Sequence, residues 1–284
     1  MIAFLLLVLF PLGIALQTYA FFWYETANSA HRQYLENLAM GRPGRLLIKG
    51  ILSSYVSLIL TVVLFPTSFL RRRRQPESDP GCSRPPIILI HGLYHNVSAW
   101  TLYRRRLKAA GFANIYFMGY SSWNQTFDGL VKKLERLISE VIERFPDRPP
   151  ILIGHSLGGL LIRGFMQSLG DSDSTHIGGA ITLGTPHQGS KLAAFGLGGL
   201  AKSLIYRGPL IRELEEKGSK ARIPCVALYS PLDNMVLPTH ALRTSEAGWV
   251  HQEISPISHV AMLYHRQTAE LAIEYLKSMC LAKD

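Results

Sequence analysis

The residues in this chain best placed to do chemistry surround a serine. Gly154-His155-Ser156-Leu157-Gly158 follows the apolar run Ile151-Leu152-Ile153 and leads into a helical pattern through Leu160, Leu161 and Phe165. A strand, a sharp turn and a helix in that order lift a serine hydroxyl above a sheet edge, and the flanking glycines let strand and helix approach closely. Ser156 is the candidate nucleophile. The N–H of Leu157 sits at the start of the helix, where unpaired amides and the helix dipole favour negative charge, so it supplies half of an oxyanion hole. A pentapeptide of this kind also occurs as a turn that only packs, and partners for the serine have to be found elsewhere in the chain.

A serine is a weak nucleophile. It needs a histidine to take its proton and a carboxylate to hold that histidine in the right tautomer. When the serine sits on such a strand-to-helix turn, the acid follows a later strand and the base follows the last one. Val226-Ala-Leu-Tyr-Ser-Pro-Leu-Asp233 is a strand pattern running into Asp233, the candidate orienting acid. Asp171 and Asp173 come earlier, in a polar Gly/Ser/Asp turn that reads as a solvated loop. His259 follows the last strand pattern through Ser255-Pro-Ile-Ser258 and is the candidate base, with His240, His251 and His265 as competitors. Ile87-Ile-Leu-Ile-His91-Gly92-Leu93 is a buried-strand pattern ending in His-Gly. It places the N–H of Leu93 to complete the oxyanion hole, while His91 reads as a packed residue shaping the loop.

Together with Leu183-Gly-Thr-Pro-His-Gln-Gly189, these motifs resemble the lipase/esterase branch of the α/β-hydrolases, nearest to its triacylglycerol-lipase-like and inositol-deacylase-like members. The resemblance covers roughly residues 86–280. It implies a triad of Ser156, Asp233 and His259 with Leu93 and Leu157 as oxyanion donors, and no cofactor or metal. His187, at the end of that motif, is expected to be exposed and non-catalytic.

The elements that must position these groups alternate in the manner of a mostly parallel sheet covered by helices, an α/β fold. Strands are expected at Ile87–His91, Asn114–Gly119, Ile151–His155, Gly179–Leu183, Pro224–Tyr229 and Trp249–Ile254. Helices are expected near Ser98–Ala110, Thr126–Phe145, Leu157–Leu169 and Val260–Met279. In the second of these, Leu130, Leu134, Leu137, Val141 and Phe145 form an apolar stripe at helical spacing. Residues 188–216 combine apolar side chains with glycines, which suits either a cap admitting an acyl chain or a helix covering the core.

Ahead of this catalytic region (87–284), residues 1–74 read as a membrane anchor and 75–86, with its prolines, as a linker. Ile2 to Trp23 and Ile51 to Leu70 are each long and apolar enough to span a bilayer. A cleaved signal peptide is the rival for the first, but no basic segment precedes it. A helix lying on the bilayer is the rival for both, but neither run shows the charged face it needs. Of the net charge of +10 over 284 residues, four units come from Arg71–Arg74. A basic cluster abutting an apolar run points to a bilayer rather than to nucleic acid, and predicts a two-pass anchor with the catalytic domain on the cytoplasmic side. The three cysteines, Cys82, Cys225 and Cys280, have neither pairing nor metal-ligand spacing. The sequence thus predicts a membrane-anchored serine hydrolase acting on a lipid or other acyl ester. A thioesterase, amidase or acyltransferase on the same triad, or a non-enzymatic scaffold of the same fold, are the alternatives. The sequence leaves the oligomeric state open.

Overall fold

The computed structural model describes residues 2–68, 79–169, 176–218, 221 and 223–281. The arginine run Arg71–Arg74 and the turn holding Asp171 and Asp173 lie outside the described residues. A 6-stranded sheet has the order β2-β1-β3-β4-β5-β6. Its strands are β1 (Ile87–Ile90), β2 (Ile115–Met118), β3 (Ile151–His155), β4 (Gly179–Leu183), β5 (Cys225–Tyr229) and β6 (Trp249–Glu253). Every adjacent pair is parallel. Each expected strand is present, shortened by at most a residue at either end.

Because side chains alternate across a strand, the apolar runs serve two cores. Ile87, Leu89, Ile151, Ile153, Ile181, Leu183, Val226 and Leu228 face one layer, which also contains Trp100, Tyr103, Leu107 and Leu276. Ile88, Ile90, Leu152, Ala180 and Ala227 face the other, with Leu130, Leu134, Leu160 and Leu161. The first layer is covered by α4 (Thr101–Ala109) and α9 (Arg266–Leu281), the second by α5 (Phe127–Arg144) and α6 (Leu157–Ser168). Thr126 caps α5 by accepting the N–H of Gly129 at 3.2 Å, and Leu130, Leu134, Ile138 and Val141 are buried along it. Each such leucine contributes roughly 1.5–3 kcal/mol by leaving water.

Ahead of the sheet, the described residues include α1 (Ile2–Ala27), α2 (His31–Leu38) and α3 (Pro43–Leu64). By length and composition, α1 and α3 could each cross a membrane. The second apolar helix begins eight residues before the expected Ile51, because Pro43 suits the first helical turn, and it ends ahead of Pro66, which cannot continue a helix. The short α2 was not anticipated. It packs Leu35 with Leu232 and Leu237 of the catalytic region. Residues from Asp79 onward are already pinned to the sheet domain, since Asn114 accepts the N–H of Asp79 at 2.8 Å and donates to its carbonyl at 3.0 Å.

Between β4 and β5, residues 188–216 form a short 3-10 helix (Lys191–Phe195), α7 (Gly199–Ser203) and α8 (Pro209–Glu216). The segment covers the core in part. Leu200, Leu204, Ile211 and Leu214 join the core, while Phe195 and Leu197 are exposed.

Candidate active site

Ser156 follows β3 with φ 54° and ψ −121°, a left-handed conformation that a serine rarely adopts. The motif glycines make that turn possible. A Cβ on Gly158 would stand 2.3 Å from the carbonyl oxygen of Ile90, and one on Gly154 would stand 2.5 Å from the backbone of Gly158. The Ser156 N–H donates to the carbonyl of Leu183 at 2.9 Å, and its own carbonyl accepts from Thr185 Oγ1 at 3.1 Å. The turn is thereby fixed to the carboxyl end of β4.

Asp233 and His259 meet beside that strand end. Nδ1 of His259 lies 2.7 Å from Oδ2 of Asp233, and Asp233 is fully buried while His259 is 5% exposed. The other carboxyl oxygen of Asp233 accepts the N–H groups of Met235 at 2.9 Å and Val236 at 3.0 Å. With Nδ1 committed to Asp233, Nε2 of His259 is left to exchange protons. A Cβ on Gly184, whose φ is +55°, would come within 3.1 Å of both Asp233 Oδ2 and His259 Nδ1. A side chain on the residue following Leu183 would therefore crowd the pair. Among the described residues the Ser156 hydroxyl makes no hydrogen bond. What ties it to the pair is its backbone bond to Leu183, adjacent to Gly184, and the tilted contact of His155 on His259 at 4.7 Å.

The amides of Leu93 and Leu157 donate no hydrogen bond among the described residues. Gly92 holds the two turns together, since a Cβ there would meet Ser156 Cβ at 3.0 Å. His91 is buried, places Nδ1 2.8 Å from the carbonyl of Gly92 and stacks on Tyr120 at 4.1 Å, as expected of a packed residue. Burial pushes its pKa down to about 3. Burial, with the adjacent His259, also holds His155 well below the usual histidine range.

The competing histidines make other contacts. His240 pairs with the Tyr206 hydroxyl at 2.9 Å, His251 accepts the Thr244 N–H at 3.2 Å, and His265 lies 3.0 Å from Thr268 Oγ1. His187 corrects an expectation. It is fully buried rather than exposed, set between Thr182 Oγ1 at 3.1 Å and the Trp249 ring at 5.2 Å.

Sequence reasoning missed a group of supporting residues. Asn234 Oδ1 accepts the His259 N–H at 3.2 Å, and its Nδ2 donates to Thr18 Oγ1 of α1 at 2.7 Å. Ser53 Oγ of α3 accepts the Ser258 N–H at 2.8 Å, and the Tyr19 hydroxyl donates to the Leu232 carbonyl at 2.9 Å. The available signal was hydroxyl side chains at Thr18, Ser53, Ser54 and Ser57 within otherwise apolar runs.

The profile of the alpha/beta hydrolase family matches residues 87–270. No curated protein matches the sequence. Among solved structures, the chain is similar to the mature lipase BlEst2 of Bacillus licheniformis, with 18% identity and a TM-score of 0.59, over 71% of this chain and 96% of that one. It is also similar to a monoacylglycerol lipase of Paleococcus ferrophilus, with 17% identity and a TM-score of 0.53, over 69% and 96%. For lipase B of Aspergillus fumigatus the values are 16% and 0.57, over 73% and 59%. At these identities the likeness is one of fold.

Proposed function

We propose, from the premise that this chain belongs to the alpha/beta hydrolase family, that it is a membrane-attached serine hydrolase cleaving carboxylic esters of lipids. The observation that carries this reading is the buried Asp233–His259 pair at 2.7 Å, on the loops after β5 and β6, with β4 between them and a serine held in left-handed backbone geometry after β3.

Ser156 Oγ attacks the ester carbonyl while Nε2 of His259 takes its proton, and Asp233 stabilises the imidazolium that forms. The tetrahedral oxyanion accepts the N–H groups of Leu93 and Leu157. Collapse breaks the bond to the alcohol, which leaves with the proton returned by His259, and Ser156 is acylated. Water, deprotonated by the same imidazole, then attacks the acyl-enzyme and releases the acid. The lipid part of the reading draws support from the two apolar helices beside the site and from neighbours whose names are lipases. The run Arg71–Arg74 after the second apolar helix supports a cytoplasmic location for the catalytic domain.

Short p-nitrophenyl esters test the chemistry. Ser156→Ala is expected to lower kcat by a factor on the order of 10⁴ or more, and a variant retaining the parent rate overturns the proposal.

A further inference from the structure

The way α1, α2 and α3 pack on the catalytic region determines how the chain meets a membrane. In a two-pass hairpin the connection between α1 and α3 lies across the bilayer from the domain that follows α3. Here that connection is seated on the domain. His31 Nε2 is 2.9 Å from the Pro231 carbonyl, the Tyr34 hydroxyl donates to Glu253, and Leu35 is buried with Leu232 and Leu237. Just before it, Glu25 pairs with Lys191 at 2.7 Å.

The opposite end of α3 touches the same domain. Thr61 Oγ1 lies 3.0 Å from the Tyr264 hydroxyl, and the Phe65 carbonyl accepts from Asn96 Nδ2 at 3.2 Å. The 22 residues of α3 measure about 33 Å, and the domain bridges that length. Ahead of Ser53, which accepts from Ser258, α3 has only about 15 Å without a hydrogen bond to the domain, and Leu46, Leu47 and Ile51 in it pack against the cluster that holds Leu232 and Leu237. Ahead of Thr18, which accepts from Asn234, α1 has about 24 Å. A hydrocarbon core is about 30 Å thick.

We infer that the hairpin lies in the plane of one leaflet, with the catalytic edge of the sheet turned toward the bilayer. The domain takes the place of the polar face that an interfacial helix needs: the hydroxyls of Thr18, Ser53 and Thr61 point into it, and the outward side is mostly apolar, with Gln17 exposed on α1. Ile48, Leu52, Val56 and Val63 are exposed along one side of α3, as are Leu9 and Phe10 on α1. Phe21 of α1 stacks on Phe195 at 5.2 Å, so the exposed Phe195 and Leu197 extend this surface to the segment beside the catalytic edge. Exposed Arg42, Arg45 and Lys49 flank its α2 end, and α3 carries no acidic residue, which fits an anionic leaflet. A partner protein would not need an apolar surface as long as a helical hairpin with cations confined to its margin.

The inference deepens the membrane reading proposed above and is independent of the ester chemistry, so its test uses no substrate. The full chain carrying Cys82→Ser and Cys280→Ser, with Met40→Cys in the connection and Ser139→Cys on the exposed side of α5, is reconstituted into phosphatidylcholine/phosphatidylglycerol vesicles. It is floated, treated with a membrane-impermeant maleimide and weighed intact. An in-plane hairpin puts both cysteines on the same side, so each molecule carries two labels or none. Molecules with a single label before detergent and two after it mean a two-pass hairpin and overturn the inference. A chain that does not float with the vesicles overturns both this inference and the membrane reading, while the Ser156 experiment on soluble esters still stands on its own.

Discussion

Asp233 uses one oxygen for His259 and the other for two backbone N–H groups, so its carboxylate is fixed before any substrate arrives. Asp233→Asn keeps the volume but replaces the oxygen that the imidazole N–H needs, or forces the opposite tautomer. kcat for a short ester is expected to fall on the order of 10⁴-fold at unchanged folded fraction, and a loss below about tenfold argues against this role for Asp233. The positions of Ser156, Asp233 and His259 could be read from the sequence because each follows a strand end, a local pattern of apolar run and turn. The burial of His187 could not, because it is made by Trp249 on β6 and Thr182 on β4, residues that only the folded sheet brings together. Gly184 is a similar case: its small size matters only once Asp233 and His259 stand against it.

At the scale of elements, the strands were legible because parallel strands buried on both faces are continuous apolar runs. The N-terminal helices were legible as apolar but not as parts of the site. Hydropathy sees a charge-free window, whereas the bounds of α3 are set by Pro43 and the turn before Pro66, and its hydroxyls answer to partners some 200 residues away. Asn234 joins the elements, holding the His259 loop with one amide atom and Thr18 of α1 with the other. Asn234→Ala removes bonds worth about 0.5–1.5 kcal/mol each. It is expected to lower kcat by about tenfold with KM for a soluble ester unchanged, the signature of a positioning residue. Equal loss of kcat in a protein whose folded fraction has also dropped tenfold assigns Asn234 to stability instead.

Across the whole molecule, the sheet edge carrying Ser156, the loops of Asp233 and His259 and the apolar hairpin form one assembly, and buried neutral histidines make it acid-sensitive. His91 is held at about 3, and His155 and His187 well below the ordinary histidine value, chiefly by burial. In the unfolded chain each titrates near 6.5, so below that pH the unfolded state binds more protons and stability falls. Above it, their contribution is fully present. Each histidine costs roughly 1.4 kcal/mol per pH unit through this window. In mild detergent the urea midpoint is expected to drop between pH 6.5 and 5, before most carboxylates titrate. A midpoint constant over that range contradicts neutral burial of these side chains. The central claim is that the strained serine is the activated nucleophile, and the most direct measurement is covalent. A fluorophosphonate probe on the folded full chain, followed by peptide mass spectrometry, is predicted to give one adduct, on Ser156, that disappears in the His259→Ala variant. An unlabelled Ser156, or an adduct on another residue, contradicts the account.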